Sequence, residues 1–150
     1  MMRGRGAAVL ALLLAVSAAL LYARLQASRL PRGDWRVTMT ATGEELTNTS
    51  ATYEIAASGG RIRASMTGVL LGPADKTVKL SRASAGRLWK ALESARAFEL
   101  PDYDSHRVGA PIYAVALETA SRSHAFRAAG ADGPYLKVVQ AIQDASRAGQ

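Results

Sequence analysis

The feature that most restricts the fold of this chain is a change in the spacing of its apolar residues near Ser84. Before that point apolar and polar residues alternate, as they do from Trp35 to Ala41, which is typical of a half-buried strand. After it, Leu88, Leu92 and Phe98 follow the three- to four-residue spacing of an amphipathic helix. Both patterns recur towards the C-terminus, so the sequence predicts one domain that combines strands with helices.

The alternating segments predict five or six antiparallel strands. The segments are Trp35 to Ala41, Ala51 to Ala57, Ile62 to Met66, Thr77 to Leu80, Tyr113 to Leu117 and Ser123 to Ala129. Between the second and third segments, Ser58-Gly59-Gly60 predicts a hairpin turn, because glycine tolerates the positive φ that such turns require. We also expect loops or turns over residues 43–48, 72–75 and 102–111.

Two helices are predicted beside these strands. The first begins near Ser84, a residue type that caps helix N-termini, and it ends at Leu100 because Pro101 cannot continue it. The second opens with Pro134, since proline suits a first helical turn. Its apolar face comprises Leu136, Val139, Ile142 and Ala145. Two helices on one face of an antiparallel sheet form an α+β fold of two layers.

Residues 7–23 form an uncharged, mostly apolar run that follows Arg3 and Arg5. This run is at the short limit for a membrane-spanning helix and slightly longer than the core of a usual cleaved signal, so both remain open. We therefore expect residues 1–32 to be a signal peptide or membrane anchor, containing a hydrophobic helix and a short linker. Residues 33–150 are then a single α+β domain, either anchored on the exported side of the inner membrane or secreted after cleavage.

Charge and cysteine content exclude several functional classes. The formal charge is +7, but five arginines and no acids lie in residues 1–32, so residues 33–150 carry only +2. Nucleic-acid binding depends on several clustered cations, so a net charge of only +2 weakens that interpretation, and we expect no nucleic-acid partner. The chain has no cysteine, which excludes disulfides, thiolate metal sites and a cysteine nucleophile.

The chain has few residues with catalytic potential. Asp102, Asp104 and His106 have a spacing that offers ligands for a divalent cation, but Asp-rich loops are usually solvated, and cation binding here stays open. His124 falls on a predicted strand, where a packing or surface role is expected. The sequence contains no Gly-x-Ser-x-Gly, phosphate-loop or His-Glu-x-x-His motif. We therefore expect a protein without catalytic activity, cofactor or metal.

The order of these elements resembles the emfourin family, small inhibitors of thermolysin-like metalloproteases, over about residues 53–145. The matching residues are Gly59-Gly60, Phe98-Glu99-Leu100-Pro101, Tyr113, Val115, Leu117, His124, Phe126, Pro134, Leu136, Val139 and Ile142. The resemblance implies an exported binding protein that inhibits a metalloprotease. The candidate partner-binding residues are Gly59, Gly60 and Arg61, although Gly59-Gly60 also fits a plain hairpin turn. The anchor-like segment favours an alternative, a membrane-tethered accessory or structural subunit of the bacterial cell envelope.

Overall fold

The computed structural model describes residues 14–22, 30–43, 50–68 and 76–148. The strands are β1 (Trp35–Thr42), β2 (Ser50–Ser58), β3 (Arg61–Gly68), β4 (Lys76–Lys79), β5 (Tyr103–Asp104), β6 (Ile112–Thr119) and β7 (Ser123–Ala129). Among the described residues of the domain, the helices are α1 (Arg82–Ser94), a short 3-10 helix (Ala97–Glu99) and α2 (Gly133–Arg147).

The strands form a single seven-stranded sheet in the order β4-β3-β2-β1-β6-β7-β5. All neighbours are antiparallel except β5 and β7, which are parallel. This arrangement confirms the α+β class, but the predicted count of five or six strands is wrong. The additional strand, β5, has only two residues and lies in a segment predicted as loop. Two residues are too few to produce an alternating pattern, so sequence periodicity could not identify this strand.

Both helices pack on the same face of the sheet and enclose one apolar core. Its fully buried side chains come from the sheet and from both helices: Val37, Met39, Ile55, Val115 and Leu117 from strands, and Leu88, Trp89, Leu92, Val138 and Ile142 from helices. The Trp89 ring packs edge-on against Trp35, with 5.3 Å between ring centroids, and lies nearly parallel to Phe98 at 6.2 Å. The predicted two-layer packing is therefore confirmed.

The ends of α1 differ from the prediction. The N-cap is Ser81, whose hydroxyl accepts a hydrogen bond from the Ser84 backbone N–H at 3.1 Å, so Ser84 lies inside the helix. The helix ends at Ser94, and Arg96 follows with a left-handed φ of 51°. The reversal at Arg96 starts the short 3-10 helix that carries Phe98. The sequence has serine at both 81 and 84, and only the backbone geometry decides which one caps.

Part of the predicted targeting segment is described. Residues 14–22 are helical and exposed, while residues 1–13 and 23–29 lie outside the described residues, so the complete hydrophobic helix stays a prediction. No helix within the described part of the chain is long and apolar enough to cross a membrane. The predicted turn at 72–75 and most of the loop at 43–48 also lie outside the described residues.

Candidate functional site

The candidate partner-binding residues form the turn between β2 and β3. Ser58 pairs with Arg61 across the turn, and Gly59 and Gly60 connect them with φ values of 56° and 76°. Two consecutive residues of positive φ are typical of a two-residue hairpin turn. A Cβ at either glycine would meet no atom within 4 Å, so glycine is needed here for its backbone conformation and not for a close approach.

The Asp34 carboxylate holds this turn from the neighbouring segment. It accepts hydrogen bonds from the Gly59 N–H and from the Ser58 hydroxyl, each at 3.3 Å. Asp34 immediately precedes β1, so the hairpin is fixed beside the start of the central strand. The turn is thus pre-ordered and exposed, which are the properties expected of a contact loop, although they are equally those of a simple hairpin.

The hairpin lies at the end of the sheet where the chain enters the domain. Leu30 packs against the core, and a cleft is lined by Leu30, Asp34, Gly60 and Arg82. The turn between β6 and β7 lies at the same end, because Thr119 pairs with Trp35. We call this end, from residues 30–35 to the two hairpin turns, the entry end.

The two histidines have different environments. His124 is half-buried on β7, where its Nε2 lies 2.7 Å from the Leu100 carbonyl oxygen, so Nε2–H donates to it. This bond connects β7 to the Phe98-Glu99-Leu100-Pro101 element, so of the two roles predicted for His124, packing or surface, the structure shows packing. His106 is exposed with a φ of 55°, and its backbone N–H donates to the Asp104 carboxylate at 2.7 Å.

Asp102, Asp104 and His106 do not form a ligand cluster. The Asp102 carboxylate accepts a hydrogen bond from the Arg127 backbone N–H at 2.7 Å, and so connects its loop to β7. Asp104 instead turns towards His106, whose Nδ1 is 3.5 Å from its carboxylate. Within the described residues no group of three or more histidines and carboxylates is placed to hold a metal ion.

Two stacked tyrosines, Tyr103 and Tyr135, lie beside the Leu100-Pro101 element. The ring of Tyr135 stacks on Tyr103 with 4.6 Å between centroids, and its hydroxyl donates to the Pro101 carbonyl at 2.9 Å. Burial raises the pKa of the Tyr135 phenol, and the Asp102 carboxylate adds to the rise. Burial likewise raises the pKa of Tyr103, with a further contribution from Asp132, which accepts its hydroxyl hydrogen bond. These groups are neutral donors at physiological pH, and they stabilise the fold.

The sheet face opposite the helices carries a surface that sequence analysis did not identify. Small side chains from β1, β6 and β7 adjoin there in register: Thr38 beside Ala116, Ala116 beside Ala125, and Thr40 beside Ala114. Ala114 and Ala125 are exposed and the other three are half-buried. Asp102 and Arg127 line one side of the same depression. We call these five small residues the shelf.

The shelf departs from the usual pattern of a solvated sheet face, on which polar residues alternate with the apolar residues of the core. Its alanines place small apolar side chains in water, and the long side chain of Arg127 lies beside Ala114 at its border. The signal was present in the sequence as Ala114, Ala116 and Ala125 at non-core positions of their strands. Only the pairing of β6 with β1 and β7 shows that they are neighbours.

No protein-family model matches the sequence, and no curated protein is significantly similar to it. The resemblance to emfourins therefore stays a prediction from the sequence. The candidate surfaces are defined by geometry: the hairpin at the entry end, and the shelf on the uncovered face of the sheet.

Proposed function

We propose that this chain is an exported, non-catalytic binding protein of the bacterial cell envelope that holds a protein partner on the shelf. The observation that carries the proposal is the exposure of Ala114 and Ala125, with Ala116 beside Ala125, on the sheet face that the helices leave uncovered. Small side chains allow another backbone or side chain to approach closely, and burying apolar surface of this kind is favourable.

The environments of the polar residues support a binding role over a catalytic one. His124 donates to a backbone carbonyl, and Asp102 accepts from a backbone N–H. Both side chains thereby hold elements of the fold together, which gives each of them a structural role. His106 is exposed in its loop, and the described residues place no group of three or more histidines and carboxylates around it that could hold a metal ion.

The resemblance to emfourins suggests an exported thermolysin-like metalloprotease as the partner. In that case Gly59, Gly60 and Arg61 would contribute to the contact, and Arg61 lies on the same sheet face as the shelf because it alternates with Ile62 and Ala64 of the core. The shelf and the hairpin are separate parts of that face, so substitutions distinguish their contributions.

The experiment is capture of partners by the full chain from a detergent extract of the cell envelope, followed by assay of any captured protease. We expect one dominant protein to be retained, and Ala125→Arg to abolish its retention by placing a long charged side chain on the shelf. Ala148→Arg is the matched control, since Ala148 is exposed at the end of α2. Equal loss with both variants, or retention with Ala125→Arg, contradicts the shelf as contact surface.

Arg61→Gln tests the inhibitor hypothesis separately. If the captured partner is a metalloprotease and the hairpin contacts it, this variant weakens inhibition while thermal unfolding is unchanged. Full inhibition by Arg61→Gln rejects the hairpin contact. A captured protein without protease activity rejects the inhibitor hypothesis and leaves the binding function.

A second candidate function is a membrane-tethered accessory subunit. The observation that favours it is the helix over residues 14–22, where Leu14, Leu20 and Leu21 are each more than 60% exposed. Apolar side chains on such a helix require a membrane or a partner for burial. Removal of residues 1–29 should release the protein from the membrane fraction and from any complex that depends on the tether; a complex that persists without these residues rejects this candidate.

A further inference from the structure

We propose that a cluster of cations at the entry end lies against an anionic phospholipid surface. The cluster comprises Arg61, Arg63, Lys79 and Arg82, and we call it the basic corner. The proposal rests on the membrane tether proposed above. It assigns the charged corner of the domain, Arg61 included, to lipid in place of the protease contact considered for the hairpin, and it leaves the shelf, on the β1-β6-β7 half of the sheet, to the protein partner.

The basic corner is built by the edge strand β4, its neighbour β3 and the start of a helix. Arg63 on β3 is directly opposite Lys79 on β4, and Arg61 is two residues before Arg63 on the same face. Arg82 begins α1 and lines the cleft that contains Gly60 and Ile62. All four side chains are exposed.

These cations occupy positions that are unfavourable in the isolated domain. Like charges directly opposite each other on neighbouring strands are destabilising, and this applies to Arg63 and Lys79. Arg82 is in the first turn of α1, where the helix dipole disfavours a cation and where no acidic residue is present. An external anionic surface relieves both effects, because it neutralises the four charges together.

No ion pair within the described residues involves any of the four cations of the basic corner. Asp34 lies at the same end, but its carboxylate is hydrogen-bonded to the hairpin turn, and Glu54 pairs with Arg36 at 4.0 Å. At the opposite end of the sheet, by contrast, Arg107 pairs with Asp132 at 3.6 Å, and His106 faces Asp104. The charge is therefore asymmetric between the two ends.

The covalent chain brings the basic corner near the membrane. Tyr22 ends the described helical stretch of the N-terminal segment and Leu30 packs on the domain, with seven residues between them. A chain of this length extends at most about 30 Å. In the sequence, Arg24 and Arg29 fall between these two residues, and Arg32 follows them. Anionic lipids attract basic segments that lie within about a Debye length, roughly 10 Å, of the surface.

The test measures which end of the domain approaches the lipid. The chain has no natural cysteine, so a single introduced cysteine gives a unique label. Ser58→Cys labels the entry end and Val108→Cys, at a fully exposed loop residue, labels the opposite end. The length of β1 separates these ends by about 25 Å. The full chain is reconstituted into vesicles of phosphatidylcholine with or without phosphatidylglycerol, and energy transfer to a headgroup dye is recorded.

We expect energy transfer from position 58 to rise at least twofold when phosphatidylglycerol is included, and to fall back in high salt. Transfer from position 108 should change little. The triple variant Arg61→Gln, Arg63→Gln and Lys79→Gln should lose the lipid dependence. The control variant Lys90→Gln, Lys137→Gln and Arg147→Gln removes the same number of exposed cations from the helices and should retain it.

The proposal is overturned if energy transfer from position 58 is the same with and without phosphatidylglycerol. It is also overturned if both triple variants lose the lipid dependence equally. Failure of the full chain to float with vesicles of either composition is a different result, because it rejects the membrane tether itself. Loss of partner capture by the first triple variant, without any lipid dependence of the label, would assign the basic corner to an acidic protein surface and also overturn the proposal.

Discussion

The two faces of the sheet differ in the kind of side chain they carry, although residues of both faces alternate along the same strands. The covered face presents large apolar residues such as Trp35, Met39 and Ile55, which the helices bury. The uncovered face presents threonines and alanines in the middle of the sheet and cations at one corner. Stability is thus concentrated on one face, and the other face is available for binding.

The largest effect is expected from a substitution on the covered face. The comparison is a substitution of the next residue, which lies on the uncovered face. Leu117→Ala removes a fully buried side chain from the core, and we expect it to lower the free energy of unfolding by about 3 kcal/mol. Glu118→Ala, at the next residue and exposed, should change stability by less than about 0.5 kcal/mol. Urea denaturation followed by circular dichroism measures both. Equal losses would show that the uncovered face also contributes to the packing.

The next effect concerns the single histidine of the covered face. His124→Ala leaves the Leu100 carbonyl without its side-chain donor, and we expect a loss of about 1–3 kcal/mol. His106→Asn, in an exposed loop where asparagine tolerates the left-handed φ, should alter stability by less than about 0.5 kcal/mol. The same denaturation experiment applies. A neutral His124→Ala would mean that the bond to the Leu100-Pro101 element is dispensable.

A smaller effect is expected at the turn that joins β2 to β3, beside the basic corner. Gly59→Ala forces a side chain into positive φ and should cost about 1–2 kcal/mol, although nothing occupies the space of the added Cβ. Gly43→Ala is the control, because its Cβ also meets no atom and its φ is not in the left-handed region. Thermal unfolding of the two variants should differ; unfolding at the same temperature would argue against backbone strain as the reason for glycine.

The smallest effect is expected at high pH. Burial raises the pKa of Tyr135 above its ordinary value near 10. The folded state therefore favours the neutral phenol, and this stabilisation is complete at pH values below 10 and is lost as the pH rises through the folded pKa. We expect Tyr135→Phe to cost about 1 kcal/mol at neutral pH through loss of the bond to Pro101. Above pH 10 the stability of the Tyr135→Phe variant should fall less steeply than that of the unaltered protein. Denaturation across a pH series measures both.

Much of the fold was predictable because strong local patterns coincide with the tertiary structure. The alternation through Ile62 and Met66, the hairpin at Gly59-Gly60 and the proline that opens α2 each indicate the correct element. The two-residue β5 was not predictable, since only its pairing with β7 defines it, and neither was the left-handed turn at Arg96, since arginine has no preference for positive φ. Local propensity alone favours neither.

The candidate surfaces were predictable to different degrees. The hairpin is local in sequence, so its residues were identified, although their position beside Asp34 and the chain entry was not. The shelf and the basic corner depend on strand register. Ala125 is distant in sequence from Thr38, and only the order of the sheet brings their strands together around β6.

The position of β1 also determines when the domain can complete its folding. This first strand of the domain is the central strand of the sheet, and it pairs with β6 through residues that are seventy or more positions apart, from Thr42 with Ile112 to Trp35 with Thr119. Pairing over such a distance is kinetically slow, because a long loop must close before the contact is gained. A chain that emerges N-terminus first, from a ribosome or a translocation pore, can form the β1-β2-β3 meander early. Its sheet nevertheless stays divided until β6 has emerged, so the domain folds to completion only after most of its chain is free.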